Sequence, residues 1–196
     1  MERIIQKYKK EFERFEKQKK SSESFWNIRE QTAKFLYSFI KAKSPENILE
    51  IGTSNGYSTF WLSLAAEKSI VDTIEADEYR FELAKENLKS RKNIIQHFGF
   101  AEDIIPKLNK KFDFVFVDAE KVKYKSYLKL LLDKLSDNAV IIADNIVSHK
   151  ESVIEYLDFL KQNSCFESFL VEIDSGLEIS FYSICHSRES GNPKRQ

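Results

Sequence analysis

The sequence predicts an α/β domain whose mostly parallel sheet is covered by helices on both faces. Three observations carry this. Five short β-rich apolar runs alternate with amphipathic stretches of helical spacing. Two further β-rich runs, joined by a glycine turn, follow at the C-terminal end. A length of 196 residues gives room for one full core. Hydrophobic residues make up 42% of the chain, with 16 Phe and 8 Tyr, which is incompatible with a disordered chain. Lys plus Arg and Asp plus Glu each total 31, so no excess charge calls for nucleic acid or an anionic membrane.

The elements follow in order. Ile4, Tyr8, Phe12 and Phe15 recur at helical spacing, which predicts a helix over residues 1–20 that packs this stripe on the domain or on a second subunit. We take residues 1–24 as an N-terminal accessory helix, 25–185 as the main domain and 186–196 as a polar, disordered tail. A second helix over 29–43 carries Ala33, Leu36, Tyr37 and Ile40 on one face and ends at Ser44-Pro45. Strands are predicted at Ile48–Ile51, Ile70–Ala76, Ile94–Phe98, Phe112–Val117 and Ala139–Ala143. Helices are predicted near 57–67, 78–91, 101–109, 124–135 and 150–163. Phe166–Ile173 and Leu177–Ile184, joined by Asp174-Ser175-Gly176, predict a closing antiparallel hairpin.

Cys165 and Cys185 stand in apolar stretches without CxxC spacing and are read as reduced core thiols. The charged start, Met1-Glu2-Arg3, has no apolar signal core. No apolar run approaches the roughly 20 residues that cross a bilayer. A cytoplasmic protein is therefore expected.

Gly52 and Gly56 directly follow the first strand and precede a helix. Glycines there let the backbone turn sharply and let a ligand approach, at the edge of a parallel sheet where ligands bind. A dinucleotide fingerprint registered on Gly52 would need glycines where Ser54 and Tyr57 stand, and no Gly-Lys-Ser/Thr of a P-loop follows. A smaller nucleoside cofactor meets neither objection. Glu75 ends the second strand about 20 residues after Gly52, where a carboxylate can accept both ribose hydroxyls; Asp77 is the nearby alternative.

The run Ile48–Thr59, continuing Phe60-Trp61-Leu62, resembles the first motif of class I S-adenosylmethionine (SAM)-dependent O-methyltransferases. It is most similar to the bacterial small-molecule branch related to catechol and caffeoyl-CoA O-methyltransferases. Thr73–Asp77, Gly99–Pro106, Phe112–Lys121 and Ala143-Asp144-Asn145 match further motifs in order, so the resemblance spans roughly residues 28–184. It implies a Rossmann-like doubly wound sheet of seven strands, mostly parallel with a C-terminal antiparallel hairpin. It also implies that Glu50, Gly52, Thr53, Ser54, Gly56 and Ser58 form the cofactor loop, with Ser58 and the loop backbone on the methionine carboxylate. Glu75 would take the ribose, and Ala101 and Glu102 would stand near the adenine. Two departures are local. Ser54 replaces the middle glycine of the general motif, as in the catechol branch. Ser136-Asp137-Asn138 replaces a Pro-Gly-Gly turn, with Asn able to take positive φ.

In the sheet order that the resemblance implies, Asp118, Asp144 and Asn145 converge beside the sulfonium of SAM and chelate a divalent cation. An all-oxygen set suits Mg²⁺, Ca²⁺ or Mn²⁺ and disfavours zinc. Asp118 and Lys121 would be catalytic, with Lys121 as the base towards a small acceptor such as a vicinal aromatic diol. His149, Tyr124, Trp26 and Phe25 are candidate walls for the acceptor, with solvent contact or core packing as the plainer roles. Relatives often pair, so a homodimer through the Ile4–Phe15 stripe is an expectation. Amino-methylating nucleic-acid enzymes carry Pro-Pro-aromatic after the fourth strand. Asp118-Ala119-Glu120-Lys121 stands there instead, which disfavours nitrogen methylation, and the intact acidic set disfavours a non-catalytic SAM-binding protein.

Overall fold

The computed structural model describes residues 1–20 and 25–184. Seven strands form one sheet: β1 (Asn47–Ile51), β2 (Ile70–Glu75), β3 (Ile94–Phe98), β4 (Phe112–Val117), β5 (Leu135–Ala143), β6 (Phe166–Val171) and β7 (Leu177–Tyr182). Their spatial order is β3-β2-β1-β4-β5-β7-β6. The first five strands run parallel, and β7 lies antiparallel between β5 and β6. The Rossmann-like reading and the closing hairpin both hold. The chain order reverses across β1 and β4, which makes the carboxyl end of that pair the switch point where ligands bind.

The helices are α1 (Glu2–Lys7), α2 (Lys9–Lys19), α3 (Glu30–Lys43), α4 (Tyr57–Ala65), α5 (Glu78–Leu88), α6 (Ala101–Ile104), α7 (Tyr124–Leu131) and α8 (Ile154–Gln162). Strand residues alternate between two cores. Ile48, Val71 and Phe114 meet Leu36, Phe60, Trp61 and Leu88 on one face. Leu49, Ile74 and Ile141 meet Leu128, Leu131 and Tyr156 on the other. Burying each such large apolar side chain contributes roughly 1.5–3 kcal/mol.

All nine residues of α4 are buried, so something must cover its outer side. The N-terminal stripe does so. Tyr8, Phe12 and Phe15 place their rings 5.7, 5.5 and 5.7 Å from Phe60. The stripe is thus used within the chain itself. The single predicted helix is interrupted at Tyr8 (φ −111°, ψ 34°), whose ring meets Phe60 edge-on and whose hydroxyl accepts from Arg91 at 3.4 Å.

Ser136-Asp137-Asn138 does turn with Asn138 at positive φ (60°). It forms an irregularity inside β5: Phe112 pairs with Leu135, and the register resumes at Phe114 with Val140. Cys165 is disulfide-bonded, which corrects the expectation of a reduced thiol there. Cys185 and the expected tail 186–196 lie outside the described residues. Among the described residues, no helix is long and apolar enough to cross a membrane.

Candidate active site

The glycine loop joins β1 to α4 and is held by both neighbouring strands. The amides of Gly52 and Thr53 donate to the carbonyl of Ile74 at 3.0 and 3.2 Å. Gly52 has φ 102°, and a Cβ there would lie 2.1 Å from the carbonyl oxygen of Asp118. Only glycine fits this close approach of two strand ends. Ser54 takes a left-handed conformation (φ 51°), and its amide donates to Glu75 Oε2 at 2.7 Å. Glu75 Oε1 accepts from the Asp77 amide at 2.9 Å. Asp77 in turn caps α5, accepting from the Arg80 amide at 2.9 Å.

Beneath the loop lies a buried polar network. Thr73 Oγ1 donates to Glu50 Oε2 at 2.6 Å, Thr59 donates to the same oxygen, and the Thr53 and Thr73 hydroxyls are 2.6 Å apart. Glu50 is inaccessible to solvent. Its burial pushes the carboxyl up to about 7, against the lowering effect of hydrogen bonds from Ser58, Thr59 and Thr73.

A cavity of about 610 Å³ opens over the carboxyl ends of the strands. Gly52, Ser54, Ser58, Glu75, Ala101, Asp118, Lys121, Asp144 and Asn145 all line it. Glu50, Thr53 and Gly56 do not; they underlie the loop. A Cβ at Gly56 would meet the Leu88 side chain at 2.9 Å. Glu102 also stays off the cavity wall, paired with Lys123 at 3.0 Å.

The carboxylates sit on adjacent strand ends. The Asp118 amide donates to the Ile51 carbonyl at 3.0 Å, and the Asp144 amide to the Val117 carbonyl at 2.9 Å. Lys121 Nζ donates to Asp118 Oδ1 at 3.0 Å. Asn145 has φ 65°, and its amide donates to Asp144 Oδ1 at 2.7 Å. Burial raises both carboxyls, and Asp118's negative charge adds to this at Asp144, which reaches about 7. Lys121 counters both. Among the described residues, no group of three or more His, Cys, Asp or Glu side chains is arranged for a metal. The expected set has two such residues, its third member being the amide Asn145. A buried and a part-buried carboxylate that oppose each other's ionisation, with one amide side chain beside them, are a donor set that fits a hard divalent cation.

Other expected residues fall on both sides of the line. Trp26 and His149 line the cavity; Ser148 Oγ stands 3.0 Å from His149 Nδ1. Tyr124 is buried, and its hydroxyl donates to the carbonyls of Val117 and Asp144 at 3.2 and 3.1 Å. It supports the site from the core, as its plainer reading had it. Phe25 is half-buried and does not line the cavity.

Lining residues that the sequence did not mark include Arg29, Arg80, Tyr127 and Asp174. The Arg80 guanidinium lies 4.4 Å from the centre of the Trp26 ring, although Trp26 is 72% exposed. Asp174, in the β6–β7 turn, accepts from the Thr32 amide and hydroxyl at 2.9 and 2.8 Å, so it satisfies a free donor in the first turn of α3. The Asp77 cap three residues before Arg80 is the one local signal that could have placed that arginine.

The doubly wound sheet thus brings a glycine loop, backed by a strand-end glutamate, and the carboxylates on the next strands to one cavity. A family model described as O-methyltransferase matches residues 5–184. The chain belongs to this O-methyltransferase family. It is 34% identical over 122 residues to a catechol O-methyltransferase of Niastella koreensis, covering 58% of this chain and 55% of that protein. It is 34% identical over 124 residues to a catechol O-methyltransferase of Mycobacterium tuberculosis, covering 60% and 56%. The chain therefore matches little more than half the length of these curated relatives. Among solved structures, the O-methyltransferase TomG of Streptomyces achromogenes, in complex with SAM, superposes with a TM-score of 0.75. It is 26% identical, over 80% of this chain and 82% of that one.

Proposed function

We propose that this protein transfers the methyl group of S-adenosylmethionine to a hydroxyl of a small, catechol-like acceptor, with a divalent cation, Mg²⁺ in the first instance. One observation carries this reading. The glycine loop with Glu75, and the Asp118–Asp144–Asn145 group with Lys121, face a single cavity. Catechol O-methyltransferases among the relatives and a SAM-bound structural neighbour support it.

The residues fit the cofactor. Ser54 Oγ is buried without a hydrogen-bond partner among the described residues. Gly56 gives α4 no side-chain cap, so the first-turn amides beyond Tyr57, with Ser58 beside them on the cavity wall, can receive a carboxylate. The loop from Gly52 to Ser58 would hold the methionine end, with Glu50, Thr53 and Gly56 supporting it from below. Glu75 would accept from the ribose, since each of its oxygens keeps a lone pair beyond its backbone bond. Ala101 would lie against the adenine. Glu102 acts at one remove, through its pair with Lys123.

SAM would supply a methyl group on positively charged sulfur, and a cation held by Asp118, Asp144 and Asn145 would supply charge that favours the ionised acceptor oxygen. Lys121, which donates to Asp118 while protonated, would in its neutral form take up the proton that the acceptor hydroxyl loses. SAM held there would supply the methyl group together with its sulfur leaving group, so the chain's residues have to orient the acceptor oxygen and take up its proton. The cavity walls hold the two reactants in line, which lowers the entropic part of the barrier.

The test is a methyl-transfer screen over phenols, catechols and hydroxamates, with Mg²⁺ and with EDTA. Turnover of vicinal diols that EDTA abolishes is the expected result. A melting temperature unmoved by millimolar SAM overturns the whole reading.

A further inference from the structure

The glycine loop is also gripped from behind, by a residue of the N-terminal helix. Asn55 is completely buried within the loop, between Ser54 (φ 51°) and Gly56 (φ 89°). A non-glycine residue in the left-handed region costs on the order of 1–3 kcal/mol, so its surroundings must hold it there. Glu75 does this for Ser54 from the cavity side. On the far side, Gln18 of α2 accepts through Oε1 from Asn55 Nδ2 and from Asn87 Nδ2, both at 3.0 Å. Gln18 Nε2 donates back to Asn87 Oδ1 at 3.1 Å. Asn87 Nδ2 also donates to the Asn55 carbonyl at 2.8 Å. Asn55 Oδ1 accepts from the amide of Tyr57, the first residue of α4, at 3.3 Å. None of the three amide side chains lines the cavity.

We infer that Gln18 is a positioning residue for the cofactor loop, so that α2 is energetically coupled to cofactor binding. This rests on the proposed reading of the cavity as a SAM site. Three amides from α2, the loop and α5 fix one another, and Asn55 transmits the constraint to Ser54 and to the first turn of α4. The aromatic stripe on α2 has a separate role, since it covers α4 and stabilises the fold whether or not a ligand is bound. Only an interaction that differs between free and bound loop changes affinity. Coupling between two sites is reciprocal, so SAM must also steady α2.

The experiment uses the full chain. Calorimetry and steady-state kinetics compare the wild type with Gln18→Met, Gln18→Glu and Phe12→Leu. Gln18→Met removes the shared acceptor, and Gln18→Glu restores it. Gln18→Met is expected to raise the Kd and KM for SAM five- to tenfold, with kcat and the acceptor KM within twofold of wild type. Gln18→Glu is expected to recover part of the lost affinity. Phe12→Leu is expected to lower the melting temperature and leave the Kd unchanged. Equal affinity in Gln18→Met and wild type overturns the inference, as does an equal loss in Phe12→Leu, which would trace the effect to helix docking. Hydrogen exchange on the wild type needs no variant to fold: saturating SAM should slow exchange across residues 14–19, and unchanged exchange there overturns the coupling. A wild type that binds no SAM removes the functional reading and this inference together, an outcome distinct from tight binding in every variant.

Discussion

The Ser54 amide donates to Oε2 of Glu75 at 2.7 Å. A residue in the left-handed region is thus pinned by the same carboxylate that lines the cavity. One side chain both shapes the loop and faces the cavity. Glu75→Ala should therefore weaken SAM binding through both effects. Each charge-assisted bond is worth about 1.5–3 kcal/mol, so a rise in Kd of about tenfold to a hundredfold is expected by calorimetry. An unchanged Kd would remove Glu75 from the site.

Asp144 lies at the end of β5 beside Asp118, on the wall opposite Glu75's half of the sheet. Asp144→Ala should abolish the cation-dependent turnover of a diol and leave the SAM Kd within about threefold of wild type. Activity that survives both this substitution and EDTA excludes the metal-assisted reading.

Lys121 holds Asp118 at 3.0 Å and lines the cavity. As the base, its replacement in Lys121→Met should lower kcat by about 10²–10⁴, with the Kd for SAM little changed. The loss should shrink for acceptors that are already ionised. A uniform loss across acceptors of different acidity contradicts the role.

Glu50 supplies a pH prediction. Burial raises its carboxyl from the ordinary range to about 7, so the folded protein holds this proton more tightly than the unfolded chain. Between the ordinary carboxylate range and about pH 7 the folded state binds more protons, and stability falls as pH rises through that window. The full shift corresponds to about 3 kcal/mol. Thermal melts from pH 4 to 8 should show this decline, and Glu50→Gln should flatten its share. An identical decline in that variant shows that Glu50 does not carry it.

The central strands were legible because each is a short apolar run whose residues alternate between two cores. The glycine loop was legible because Gly52, Gly56 and Glu75 are tied to a strand end by local geometry. The stripe Ile4–Phe15 was legible as a helical face, but its target was not, since Phe60 lies far along the chain. The same limit applies to Arg80 on Trp26, Asp174 on Thr32 and Gln18 on Asn55. Each is a polar or cation–π contact between distant segments, without the repeating pattern that burial imposes. The break at Tyr8 was hidden for a related reason: the apolar spacing runs through it unchanged.

The bonds from Thr32 to Asp174 fasten the hairpin turn to the start of α3. The far side of the cavity is thereby assembled from three short stretches: Trp26–Arg29, Asn145–His149 and Asp174–Ser175. The bonds that join these stretches to the sheet run through backbone, as where the Ser175 carbonyl accepts from the amides of Val147 and Ser148 at 2.9 and 3.3 Å. Selectivity and framework are therefore separable here. Positions such as Trp26, Arg29 and Ser175 are open to redesign, and a small combinatorial library at them would reshape what the cavity admits while the sheet beneath keeps its geometry.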